Sequence, residues 1–123
     1  MVSARAYNWG MNHQKLRFGQ GFHVAFGNRR SQGAQMTLPP GKSEGGDDNR
    51  HRGADQWLYV VAGRGIATVN EERVPLVPGT LLLIERGEKH EIRNTGRTLL
   101  KTVSIYVPPG YTADGYELPA GKS

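Results

Sequence analysis

Gly, Pro and Asn recur along this chain at intervals that leave little room for a helix between them, and the runs they separate are rich in β-branched and aromatic residues. Such punctuation favours short antiparallel strands joined by turns. The expected strands are Lys15–Phe18, Phe22–Phe26, Ala34–Leu38, Gln56–Ala62, Ile66–Asn70, Thr80–Ile84, His90–Asn94 and Leu99–Val107. Gly63-Arg64-Gly65 and the Asn-Glu-Glu-Arg run before Val74 are expected to form hairpin turns. No stretch longer than a turn carries a helical apolar stripe, so the expected class is all-β, a sandwich or a barrel.

Within the strands, side-chain alternation assigns faces. Gln56, Leu58 and Val60 share one face of their strand and Trp57, Tyr59 and Val61 the other, so both faces are apolar and the outer one needs a cover. Thr102, Ser104 and Tyr106 alternate with Lys101, Val103 and Ile105. If the polar set faces inward it lines a pocket; otherwise these are plain strand residues.

Composition sets the outer limits. A chain of 123 residues suffices for one core but not two, so a single domain over 1–123 is expected, with a Pro- and Gly-rich tail, 108–123, loosely held. Without cysteine there is neither disulfide nor thiolate ligand. The N-terminal segment lacks a signal peptide's apolar stretch and no run approaches a membrane span, so the expected location is the cytoplasm, with no membrane partner. The net charge of +5 comes from basic residues scattered among acids, with Arg29-Arg30 and Arg50 with Arg52 standing out as close basic pairs. No recognition helix accompanies them, so the charge is read as a solvated surface with a mild preference for small anions, not as a nucleic-acid site.

The chemistry-bearing residues fall in two stretches. The first, residues 39–65, runs from a Pro-Gly turn through a Gly-rich polar loop holding Asn49, Arg50 and His51 into the strand that begins at Gln56. The second, residues 78–94, is a Gly-led apolar run, a turn at Gly87, and a strand with His90, Ile92 and Asn94 on one face. His13, in a polar segment, and His23, in an apolar strand, are read as structural or exposed.

These two stretches resemble the two motifs of the cupin superfamily. In motif one, over 41–63, the second histidine falls on His51, the glutamate on Gln56 and the closing glycine on Gly63, while Asn49 stands where the first histidine is expected. Motif two, over 79–94, falls on Gly79, Glu85, Gly87, His90 and Asn94, with Glu85 in place of the proline. The resemblance implies a double-stranded β-helix, or jelly-roll barrel, with a divalent transition metal in its interior: zinc, iron, manganese, nickel or copper.

Carried over residue by residue, the implied ligands are Asn49, His51, Gln56 and His90. Two are imidazoles and two are amides, and an amide oxygen donates less to late first-row metals than a nitrogen does. A metal held without a carboxylate keeps more Lewis acidity but binds less tightly. Asp47, with the parity of Asn49, is a candidate for the missing carboxylate. Two functions follow from the resemblance: a metal-binding cupin acting on or binding a small oxygen-bearing molecule, anions included, or a metal-free module recognising its ligand through the same residues. As an enzyme it would be a metal-dependent oxygenase, isomerase or lyase, with no general base identified. The aromatic outer face of Trp57 and Tyr59, with Tyr7, Trp9, Phe18 and Phe22, implies a homodimer; the alternative is that the chain's own first strands cover it.

Overall fold

The structure, a computed structural model, describes residues 12–46 and 53–118. Nine strands run in order: β1 Gly21–Gly27, β2 Gln32–Leu38, β3 Ser43–Gly46, β4 Asp55–Ala62, β5 Gly65–Val69, β6 Glu72–Leu76, β7 Leu81–Ile84, β8 His90–Asn94 and β9 Leu100–Val107. They form two antiparallel sheets, β1-β2-β9-β4-β7 and β3-β8-β5-β6. No helix occurs among the described residues. The expected jelly-roll barrel is what the chain forms.

Both sheets feed one core. Met36, Leu38, Leu58, Val60 and Leu100 project from the five-stranded sheet onto Ala67, Leu76 and Ile92 of the four-stranded one. The alternation expected along β4 and β9 holds. Gln56, Leu58 and Val60 are buried while Trp57, Tyr59 and Val61 are exposed, and Leu100, Thr102, Ser104 and Tyr106 face inward.

Several local expectations need correction. Lys15–Phe18 is not a strand; residues 12–20 are irregular. Phe18 N–H donates to Gln35 Oε1 at 2.7 Å, and Thr37 Oγ1 donates to the Phe18 carbonyl at 3.1 Å. This segment therefore caps the outer face of β2, and Gln35 and Thr37 are buried although they point away from the core. Phe22, expected among the surface aromatics, turns inward and packs on the core. Tyr7 and Trp9 lie outside the described residues.

The Gly63–Gly65 run is not a hairpin turn, because it carries the chain from β4 in one sheet to β5 in the other. Its glycines serve close backbone approach: a Cβ on Gly65 would lie 2.3 Å from the Arg93 carbonyl oxygen. The hairpin at Asn-Glu-Glu-Arg does form, between β5 and a β6 that the sequence reading missed because it holds Pro75. That proline is tolerated because β6 is an edge strand. Its loop is Asn70-Glu71, both at positive φ, 47° and 75°, as the twist-matching two-residue turn requires. Asn70 suits the position and is tied to Lys89 by its main-chain N–H and its Oδ1. Glu71 bears backbone strain that glycine would not. Glu71→Gly is expected to raise stability by about 0.5–1 kcal/mol, read as a higher midpoint of thermal unfolding; a lower midpoint would contradict this account of the turn.

Candidate functional site

One end of the barrel holds a cavity of about 20 Å³, room for about one ordered water. Its walls are Gln56 from β4, Ser104 and Tyr106 from β9, His90 and Ile92 from β8, and Glu44 from β3, with Phe22 and Tyr111 closing one side. The fold brings Gln56 and His90, widely separated in sequence, to one cavity from opposite sheets. Asn49, His51 and Asp47 lie outside the described residues. Among the described residues, no three His, Cys, Asp or Glu side chains converge as a ready metal cage.

Gln56 is 5% exposed, its Nε2 donates to Ser104 Oγ at 3.0 Å, and its Oε1 is buried with no hydrogen-bond partner. A buried acceptor left unmade costs about 1–3 kcal/mol, a cost that a donor or a cation at that oxygen would remove. His90 is 4% exposed, and its Nδ1 lies 3.3 Å from the Glu88 carbonyl. A carbonyl only accepts, so in this contact Nδ1 is the donor. A main-chain carbonyl fixing the tautomer in this way is the usual support of a ligating imidazole.

Glu44 was not foreseen. In the β3–β8 ladder it stands opposite Ile92, whose side chain is in the core, so Glu44 projects from the same face of the sheet to the exposed rim of the cavity. The polar, Gly-rich Ser-Glu-Gly-Gly run gave no strand signal, and without the strand there was no parity to follow. Glu85 lies exposed at a turn where its N–H meets Glu88 Oε1 at 2.7 Å.

Tyr111 was also missed. Residues 110 and 111 of the tail are fixed by Gln32: its Oε1 accepts from both main-chain N–H groups, at 3.2 and 3.1 Å, and its Nε2 donates to the Tyr111 carbonyl at 2.8 Å. The Tyr111 ring packs 4.6 Å from Phe22 and 5.0 Å from Tyr106, centroid to centroid. Burial, above all, pushes both phenols upward, and the charge of Glu44 adds to it at each. Both hydroxyls are therefore protonated across the working pH range.

Of the three expected pocket residues on β9, Ser104 and Tyr106 line the cavity, while Thr102 lies deeper, paired with Met36 and Val60. Its Oγ1 is buried without a partner. Thr102→Val keeps the shape and removes that orphan, so it is expected to stabilise the fold by about 1–2 kcal/mol. Thermal unfolding reads the gain, and a loss of stability would contradict it. Asn94, the last residue of motif two, is a structural clamp: its Nδ2 donates to the Leu38 and Thr98 carbonyls at 2.7 and 2.9 Å, and its Oδ1 accepts from Gly96 N–H at 2.8 Å. His13 and His23 are exposed, and His23 Nε2 lies 2.8 Å from the Gln20 carbonyl.

Comparison with known proteins agrees with this architecture. A family model described as the cupin domain matches residues 34–106. An oxalate-binding protein of Thermotoga maritima is 35% identical over 74 residues, covering 60% of each chain. The tetracenomycin polyketide synthase protein TcmJ of Streptomyces glaucescens is 33% identical over 68 residues, 55% of this chain and 44% of that one. The match thus spans 60% and 44% of these relatives' own length, less than two thirds in each case. Among solved structures, a Bacillus halodurans protein superposes with a TM-score of 0.70 at 24% identity, over 80% of this chain and 76% of that one. A predicted oxalate decarboxylase of Thermotoga maritima gives 0.60 at 24% identity, over 78% of this chain and all of that one.

Proposed function

The chain belongs to the cupin domain family, and from that premise we propose that its barrel interior holds a divalent transition metal at which a small oxygen-bearing molecule binds. The observation that carries this reading is the buried, partnerless Gln56 Oε1 sharing one cavity with His90. A carbonyl oxygen and an imidazole suit a divalent ion of the zinc, iron, manganese, nickel or copper group. The proposed ligand set is His51, Gln56 and His90 with Asn49, and Asp47 is a further candidate. When bound, such a metal supplies Lewis acidity toward a ligand oxygen.

The protein's own contributions are positional. Glu88 fixes the His90 tautomer, Ser104 holds the Gln56 amide, and Phe22, Tyr106 and Tyr111 screen one wall from water. A small carboxylate is a reasonable ligand class, since one relative is named for binding oxalate. A charged metal would offset the repulsion that Glu44 exerts on such an anion. A metal-free module using the same groups is favoured by the two amides among the four candidate ligands, and the same titration distinguishes it. Proposed partners are limited to this small molecule and a second copy of the chain, with neither nucleic acid nor membrane, in the cytoplasm.

Calorimetric titration with Mn²⁺ and Zn²⁺ tests the reading. The wild type is expected to bind, and Asn49→His to bind tighter by about tenfold or more, because imidazole is the stronger donor. Equal affinities would place residue 49 outside the coordination shell, and no binding by either form would leave the metal-free module.

A further inference from the structure

The walls of the cavity that holds Gln56 and His90 are not equivalent. Gln56, His90, Ser104, Tyr106 and Phe22 project from strands, where hydrogen bonds to neighbouring strands fix the main chain. Among the described residues that line the cavity, Tyr111 alone lies outside a strand. It belongs to the tail, which closes on itself: Tyr111 bridges Glu117, Leu118 N–H donates to the Gly110 carbonyl at 2.8 Å, and Thr112 N–H donates to the Tyr116 carbonyl at 2.7 Å. A wall built this way can be altered without touching either sheet.

Main chain and ring have separate tasks at Tyr111. Gln32 stands opposite Tyr106 in the β2–β9 ladder, so its side chain emerges beside the Tyr106 ring. From there Oε1 accepts from the Gly110 and Tyr111 N–H groups, and Nε2 donates to the Tyr111 carbonyl. The partners themselves fix which end of this amide is which, because two are donors and one is an acceptor. None of these bonds involves the side chain at 111, so the clamp would hold another residue there equally well. The ring does something else. It packs 4.6 Å from Phe22 and 5.0 Å from Tyr106, centroid to centroid, and forms the side of the cavity next to them. The space left inside is about 20 Å³, room for about one water. A single ligand oxygen fits such a space; a second aromatic ring does not.

We propose that the Tyr111 ring sets the upper size of the ligand, with Gln32 as the positioning residue that holds it, so that the site takes a small aliphatic carboxylate and refuses an aromatic one. This rests on the reading of the cavity as the site for a small carboxylate, but the wall itself is testable without metal. Removing the ring would leave a space bounded by Phe22 and Tyr106 and continuous with Gln56 and His90. Aromatic walls suit a second ring.

The test is Tyr111→Ala, read first on metal-free protein. The probe is p-cresol, the tyrosine side chain as a free molecule. It should bind the variant saturably and shift the Gln56 side-chain amide resonances, which places it in the cavity. Wild type and Tyr111→Phe, whose own rings fill the space, should bind it about tenfold more weakly or less. A folded Tyr111→Ala protein that takes no p-cresol, or a wild type that takes it equally well, would overturn the proposal.

Calorimetric titration of zinc-loaded protein with acetate and benzoate reads the specificity. Wild type should prefer acetate by about tenfold or more, a comparison that needs no variant to fold. Tyr111→Ala should gain about tenfold or more for benzoate and change by less than about threefold for acetate. Gln32→Met removes the clamp and keeps the ring, so benzoate should gain there as well. Added to Tyr111→Ala, it should change benzoate affinity by less than about twofold, because no ring is left to hold. A Gln32 that serves only general stability would instead lower both affinities in either background. Wild type that binds benzoate as well as acetate, or Tyr111→Ala without a gain for benzoate, would overturn the proposal. If no form holds zinc, the metal reading falls, and the same comparison on metal-free protein decides the size limit with the same two outcomes.

Discussion

Gly63→Ala is expected to cost about 3 kcal/mol or more, a large fraction of the roughly 5–15 kcal/mol that keeps a domain of this size folded. Gly63 sits at φ +88°, and an added Cβ would lie 2.3 Å from the Leu99 carbonyl oxygen and 2.8 Å from Leu100 Cα. Both are main-chain atoms, in the loop that leads into β9 and at the first residue of that strand, so no side chain can swing aside to relieve the overlap. Gly79 and Gly87 provide the contrast. Both also have positive φ, +94° and +86°, but an added Cβ at either meets nothing within 4 Å. Alanine there should cost only the backbone strain, about 1–2 kcal/mol. Denaturant unfolding of the three variants checks the order; a Gly63→Ala protein as stable as Gly87→Ala would show that the β4–β5 crossover is not packed as described.

The second large effect is on association. Trp57 and Tyr59 are 42% and 46% exposed, and their cross-strand neighbours Leu83, Ile105 and Leu81 are 36%, 40% and 61% exposed. Five large apolar side chains thus lie together on the outer face of the five-stranded sheet, an arrangement more usual at an interface than on a solvated surface. The chain's irregular segment over 12–20 covers β2 at Gln35 and Thr37, yet among the described residues this patch stays open. The proposed occupant is the same patch of a second copy, related by a twofold axis. Trp57→Glu is then expected to weaken the dimer by about thirtyfold or more, because a carboxylate would be buried at its centre without a partner. The folding of each protomer should change little, since the residue is half exposed there. Light scattering at micromolar concentration reads it: twice the 13.5 kDa chain mass for wild type and the single-chain mass for the variant. A wild type at the single-chain mass at every concentration would contradict the dimer.

Much of this was legible in the sequence wherever a two-residue period met burial. β4 alternates so regularly that Gln56, Leu58 and Val60 could be assigned inward from parity, whereas on β9 parity grouped Thr102, Ser104 and Tyr106 on one face without deciding that this face is the inner one. Lys15–Phe18 alternates too, but alternation does not supply a hydrogen-bonding neighbour, and the segment lies on the sheet without joining it. β3 shows the reverse: nothing in Ser-Glu-Gly-Gly favours a strand, and pairing with β8, from Ser43 opposite Arg93 to Gly46 opposite His90, imposes one. Glu44 was hidden for that reason. Tyr111 was hidden because its anchor, Gln32, is 79 positions away, and a Pro- and Gly-rich tail gives no local sign of such a clamp. The glycines of Gly63-Arg64-Gly65 were recognisable as special, but a sequence does not tell a glycine required for a turn from one required for space.

The central claim is that the cavity of Gln56 and His90 takes a divalent cation, and metal content tests it most directly. Protein purified without an affinity tag, loaded with Mn²⁺ or Zn²⁺ and desalted, should retain a single divalent ion per chain by elemental analysis. His90→Ala, folded by the same spectroscopic criteria, should retain none. A wild type that keeps no metal, or a His90→Ala protein that keeps as much as the wild type, would contradict the account.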